Sequence, residues 1–284
     1  MKTVSKIQLC VAILGVSCLL LQSASATLFL SEGFNYTAGS GLSGNLGWLG
    51  GGSANLAIGS GNLTYGSLTD LGGNDFQLTA PAASGSTVYT NFINGGATSG
   101  TIYFSFLLSP TTLPTANNEL LDLVPSGATG LQGATSPLAV YVGSQSATQY
   151  KIGVRRGNSG ATYVTGAWAT QNSVNFLVLG YTFNTTSGFD DTVSLWVNPT
   201  PGGTQPVADF SYNNSALADA ANVGTLAIKA QTAASEGSWL FDDFRVGDTW
   251  SQVTPQTLVP EPSTFALMGI GLGLMAAVIR RRRS

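Results

Sequence analysis

Between Thr27 and Leu258 apolar residues recur at every second position in short runs, and almost nowhere with the spacing of a helix face. A period of two places alternate side chains on opposite sides of an extended strand, so each run buries one face and leaves the other polar. Ile102, Phe104, Phe106 and Leu108 share one face, as do Leu138, Val140 and Val142, then Val193, Leu195 and Val197, then Leu226 and Ile228. Residues 173–184 are apolar on both faces, with Phe176 and Val178 set against Leu177, Leu179, Tyr181 and Phe183, the pattern of a strand at the centre of a sheet. Gly, Asn, Ser, Thr and Pro fill the intervals. About a dozen strands spaced roughly 8–15 residues apart argue for one all-β sandwich over residues 27–258 rather than βαβ units. The segment "SALADAANV", residues 215–223, is the single short helix expected.

Charge is sparse and unevenly placed. The chain has 284 residues, 9% of them charged, and no histidine. Six of its 11 Lys and Arg stand at the ends: Lys2 and Lys6, then Arg280, Arg281, Arg282 and Arg283. The body keeps five cations, Lys151, Arg155, Arg156, Lys229 and Arg245, against 13 acids. An acidic body without a basic stretch argues against a nucleic-acid partner.

The two ends read differently from the body. Lys2 and Lys6 precede an apolar run from Ile7 to Leu21, followed by Ala24-Ser25-Ala26, the n-region, h-region and A-x-A site of a secretory signal peptide over residues 1–26. Cleavage there makes Thr27 the mature N-terminus. Cys10 and Cys18 both fall inside the leader, so the mature chain has neither disulfides nor thiol chemistry, and without His the common zinc sites are excluded. At the other end, Phe265–Ile279 is an uncharged stretch of 15 residues. As a helix it would be roughly 23 Å long against a bilayer core of about 30 Å, a marginal span. The arginines at 280–283 orient it with the body outside. Pro260 and Pro262 stop the helix upstream and hold Glu261 in extended backbone, the form a processing enzyme can grip.

Val259-Pro260-Glu261-Pro262, the short apolar helix and the Arg280–Arg283 cluster resemble the PEP-CTERM sorting signal, here over residues 259–284. That resemblance implies recognition by an integral-membrane exosortase, a tether in the inner membrane until the tail is processed, and delivery to the surface or extracellular matrix of an exopolysaccharide-producing bacterium. A second resemblance spans the body. "SEGFNY" from Ser31, "LVLGYTFNTTSGFDDTVSLWVNP" from Leu177 and "WLFDDFRVGDTWSQVTP" from Trp239 are similar to concanavalin A-like, LamG-type jelly rolls. This implies two antiparallel sheets of about six strands each, one of them concave, with the first and last strands paired. It also implies a calcium ion at the rim.

Residues with chemistry are few. No E-x-D-x-x-E run of a jelly-roll glycosidase occurs, and a Ser-His-Asp or Cys-His arrangement cannot be built. Glu119 and Asp122, at an odd spacing, are expected on opposite faces of a strand. The chain is therefore expected not to be an enzyme. For carbohydrate, Trp196 lies on the polar side of its strand and is the leading candidate platform, with Trp168, Tyr141 and Tyr181 behind it. For calcium, the candidates are the pairs Asp190-Asp191 and Asp242-Asp243. A polysaccharide-binding surface protein and a structural surface protein working through protein contacts are the two readings. An open face carrying Trp196 favours the first, and a covered face favours the second.

Overall fold

The computed structural model describes residues 26–257 apart from 46, 52–53, 81–85, 158–161, 164–168 and 231–233. The leader up to residue 25, the sorting residues Pro260, Glu261, Pro262 and Arg280–Arg283, and Trp168 lie outside the described residues. Among the described residues no helix is long and apolar enough to cross a membrane.

The alternating runs form two antiparallel sheets packed face to face. The first contains β1 (Leu28–Glu32), β3 (Leu56–Ile58), β4 (Phe76–Leu78), β6 (Gly100–Thr112), β12 (Asn175–Phe183), β13 (Thr192–Val197), β14 (Phe210–Asn213) and β16 (Ser238–Gly247). Its order is β14-β13-β12-β6-β16-β4-β3, with β1 added on β16. The second contains β2 (Trp48–Gly50), β5 (Ser86–Asn91), β7 (Asn118–Val124), β8 (Leu138–Ser144), β9 (Gln149–Arg155), β10 (Thr162–Tyr163), β11 (Ala169–Thr170) and β15 (Thr225–Ala230). Its order is β10-β9-β8-β7-β15-β5-β2, with β11 also on β9. Each sheet thus has eight strands, more than the six expected, because two- and three-residue strands carry too little alternation to register in sequence.

The doubly apolar strand β12 sits between β13 and β6, inside its sheet as expected. Between the sheets lies an aromatic core. Phe34 stacks on Phe76 at 5.6 Å and meets Phe244 edge-on at 5.0 Å, and Phe104 does the same to Phe244 at 5.3 Å. Each such ring contributes about 1.5–3 kcal/mol by burial alone. The first and last strands pair as expected: Ser31 lies opposite Arg245 and Glu32 opposite Phe244. The Thr27 backbone N lies 2.9 Å from Asp248 Oδ1, so cleavage after Ala26 would set a new ammonium against a carboxylate.

Residues 215–223 are not helical; they form a turn followed by irregular chain. The reason is Arg156, whose guanidinium takes the carbonyls of Asn214, Leu217 and Ala218 that a helix would need. Tertiary bonding overrides the local propensity of an Ala-rich stretch. Among the described residues the α-helix is instead α1, Trp250–Val253, capped by a Thr249/Gln252 box.

Candidate functional site: the outer face of the second sheet

Each sheet has an outer face, and the sequence sets their fates apart. On the first sheet, Leu107 of β6, Phe176 and Val178 of β12 and Trp196 of β13 point outward and are covered by Leu63, Leu68, Trp250 and Val253. Trp196, the leading platform candidate, is 4% exposed. Its ring lies edge-on to Trp250 at 5.1 Å, and its Nε1 donates to the Pro206 carbonyl at 3.0 Å. It also lies on Gly180, where an added Cβ would come within 3.2 Å of the indole. A buried Trp needs a partner for its N–H and a flat seat, and both come from its own chain. Trp196 is therefore packed and offers no platform. Tyr181 is likewise buried, with its hydroxyl donating to Asp191 Oδ2 at 2.5 Å.

The second sheet differs. Its inward residues (Leu121, Leu123, Val140, Val142, Tyr150, Ile152, Leu226, Ile228) join the core. The alternate positions carry half-buried Tyr141 on β8, Gln149, Lys151 and Arg155 on β9, Lys229 on β15, and Thr87 and Tyr89 on β5. Tyr141 is fixed from two sides. Its hydroxyl donates to Glu119 Oε2 at 3.0 Å, and the Arg155 guanidinium sits 4.7 Å from the ring centre. Arg155 also reaches Glu119 Oε1 at 3.4 Å. Burial and the Glu119 charge push the Tyr141 phenol well up, so it stays a neutral donor. Across the strands Tyr141 faces Gly153 on one side and Glu119 on the other.

Glu119 and Asp122 lie on this same face, against the expectation of opposite faces. A β-bulge between Glu119 and Leu121 inserts one residue, so Leu120 and Leu121 both enter the core and the alternation resets. Asp122 is nonetheless fully buried. Its Oδ2 accepts from the Gln132 N–H at 3.0 Å and the Ser136 hydroxyl at 2.7 Å, which ties the 125–137 loop down over the sheet. Burial first, and then the neighbouring Glu119, raise its carboxyl well above the usual range.

The two aspartate pairs also part company. Asp242 and Asp243 sit inside β16 at a bulge, with Asp243 at φ 55°. Asp242 accepts from the Leu63 and Asp243 N–H groups, both at 2.8 Å, and Asp243 accepts from Leu71 N–H at 2.8 Å and pairs with Arg245 at 3.6 Å. Their oxygens face donors that fasten the 61–71 segment, so this pair does not fit a calcium ion. Asp190 and Asp191 join Asp219, with one oxygen of each within 4.8 Å of the others. Oxygen ligands suit calcium, but both Asp191 oxygens already accept hydrogen bonds and Arg156 pairs with Asp219 at 2.9 Å. The positive charge such a cluster needs is already supplied by the protein.

Burial raises Asp242 to about 8, against the lowering effect of its two N–H donors. An unfolded aspartate titrates near 3.9. The fold therefore favours the protonated form, and this contribution is complete below about pH 4 and lost as pH rises through about 8. Stability to urea is expected to fall across that window. In Asp242→Asn the fall should be shallower and the acid-side stability lower, since the amide meets an N–H donor with another. Denaturation midpoints at pH 5 and pH 8.5 check both.

Residues 258–283 match the PEP-CTERM protein-sorting motif. No curated protein matches the chain. Among solved structures, the PL-14 alginate lyase from Aplysia kurodai superposes with a TM-score of 0.51 at 11% identity, covering 78% of this chain and 99% of its own. The alginate lyase Aly36B gives 0.49 at 10%, over 78% and 96%. The endo-beta-1,4-glucuronan lyase from the fungus Trichoderma reesei gives 0.46 at 11%, over 81% and 100%. The Aplysia likeness shows the fold alone. The chain thus carries a PEP-CTERM sorting signal, which implies export and membrane-associated processing by an exosortase-type enzyme, behind a jelly-roll sandwich of two antiparallel sheets.

Proposed function

We propose that this chain is an exported cell-surface or extracellular-matrix protein whose sandwich binds carbohydrate on the outer face of its second sheet. The observation that carries this reading is the held ring of Tyr141, gripped by Glu119 and backed by Arg155. Sugar rings stack on flat aromatics, and fixed polar groups beside the ring bond the hydroxyls. A ring already locked in place loses little freedom on binding, which is where a shallow site gains affinity. Tyr89 supplies a second ring on the same face. Binding rather than catalysis fits the buried Asp122, whose carboxyl cannot reach a bound chain. Final attachment at the surface follows removal of the tail from the inner membrane.

The test is binding of the secreted mature protein to a panel of immobilised bacterial, algal and plant polysaccharides, with and without calcium. Tyr141→Ala is expected to weaken binding about tenfold, or about 1.4 kcal/mol. Tyr141→Phe, which keeps the ring, should retain most of it. Equal binding by Tyr141→Ala, or no binding to any glycan, contradicts the reading and favours a purely structural role.

A further inference from the structure

The body is acidic, yet its accessible cations are segregated. Of its five Lys and Arg, Arg156 is 0% and Arg245 2% exposed. Arg156 is spent on Asp219 and three carbonyls, and Arg245 on Asp243 and the Thr69 carbonyl. The other three, Lys151, Arg155 and Lys229, all project from the outer face of the second sheet. Of the 13 acids, that face holds two, Glu119 and Asp122, since no other strand of the sheet carries one. Glu119 is paired with Arg155 and Asp122 is buried, and the three cations outnumber the two acids even with both ionised. The face therefore bears net positive charge on a protein that is otherwise negative.

Register fixes how those charges are spread. Lys151 lies opposite Gly143, and its Cε rests where a side chain at 143 would be. Arg155 lies opposite Ala139. Lys229 stands on β15, on the far side of β7. From β9 to β15 is three strand spacings, about 15 Å. Between the cations stands Tyr141, and the space over Gly143 is filled by the Lys151 stem and the Asn117 side chain.

We propose that the ligand of this face is an anionic polysaccharide, a chain bearing carboxylates or sulfates along its length, laid across β9, β8, β7 and β15. This deepens the carbohydrate reading and rests on it. Cations spread across the strands match charges repeated along a polymer better than a single anion, which would need them converged. The stacking ring between them selects a sugar chain over a phosphate backbone. The acids elsewhere on the molecule repel the polymer and confine it to this face.

The test uses the full secreted protein with polygalacturonate and with the same polymer fully methyl-esterified, which removes charge and keeps the sugars. Binding to the acid form, weakening with salt and at least tenfold weaker to the ester, is the expected result. Lys151→Gln with Lys229→Gln should reduce binding to the acid form at least tenfold while the protein stays folded by circular dichroism. Equal binding of acid and ester, or parental binding by the double variant, overturns the anionic class, and equal binding to duplex DNA overturns the choice of a sugar chain. In the first two cases the carbohydrate reading survives. Failure to bind either polymer overturns the anionic class, and if neutral glycans fail as well the carbohydrate reading falls with it.

Discussion

Arg156→Ala is expected to lower the unfolding free energy by about 3–5 kcal/mol, the cost of breaking a buried ion pair by removing one partner. A domain has only about 5–15 kcal/mol in total, so the variant should stand near the edge of folding. The guanidinium is fully buried, donating to Asn214 O at 2.8 Å, Leu217 O at 3.2 Å, Ala218 O at 3.4 Å and Asp219 Oδ1 at 2.9 Å. Its loss strands those carbonyls and leaves Asp219 beside Asp190 and Asp191 without compensating charge. Arg156→Lys should recover little, because one ammonium cannot reproduce a planar fork spread over four acceptors. The double variant Arg156→Ala/Asp219→Ala should recover part of the loss, since it removes the uncompensated carboxylate. Urea denaturation of the four proteins measures this. A loss under about 1 kcal/mol for Arg156→Ala would show that the network is dispensable.

Glu261→Ala is expected to leave the protein membrane-bound at full length. The substitution leaves the apolar stretch 265–279 and the Arg280–Arg283 cluster untouched, so insertion and orientation should be as in the parent. What it removes is the carboxylate between Pro260 and Pro262 in the matched sorting motif. Serine at 280–283 should act differently, weakening insertion itself by losing the charges expected to keep that end of the apolar stretch on the cytoplasmic side. Fractionation and mass of the protein in membrane and medium separate the two. Release of Glu261→Ala at the parental rate would mean that the Pro-Glu-Pro motif does not direct processing.

The architecture was legible because burial on one face writes itself as alternation. Residues 101–109, 138–143, 192–197 and 225–230 became strands with the faces expected. The site was less so, for reasons that are local. Trp196 stands between the inward Leu195 and Val197 like a solvent-facing residue, but a second layer brought by residues 61–71 and 250–253 covers it, and no strand records what packs on its far side. Glu119 and Asp122 changed faces through one bulged residue, which the run Glu-Leu-Leu-Asp does not announce. Asp242-Asp243 reads like a turn, yet it lies mid-strand because the N–H groups of a distant segment need acceptors. The cationic face had a signal that alternation alone could have shown: Lys151, Gly153 and Arg155 stand opposite Tyr150, Ile152 and Val154.

Hydrogen–deuterium exchange of the secreted mature protein, with and without a bound polysaccharide, tests the central claim that the second sheet carries the ligand. Protection is expected in β7, β8, β9 and β15, around Glu119, Tyr141, Lys151 and Lys229, with no change in the 61–71 and 250–253 segments that cover the first sheet. Protection over those covering segments with none on the second sheet would place the ligand elsewhere and contradict the account.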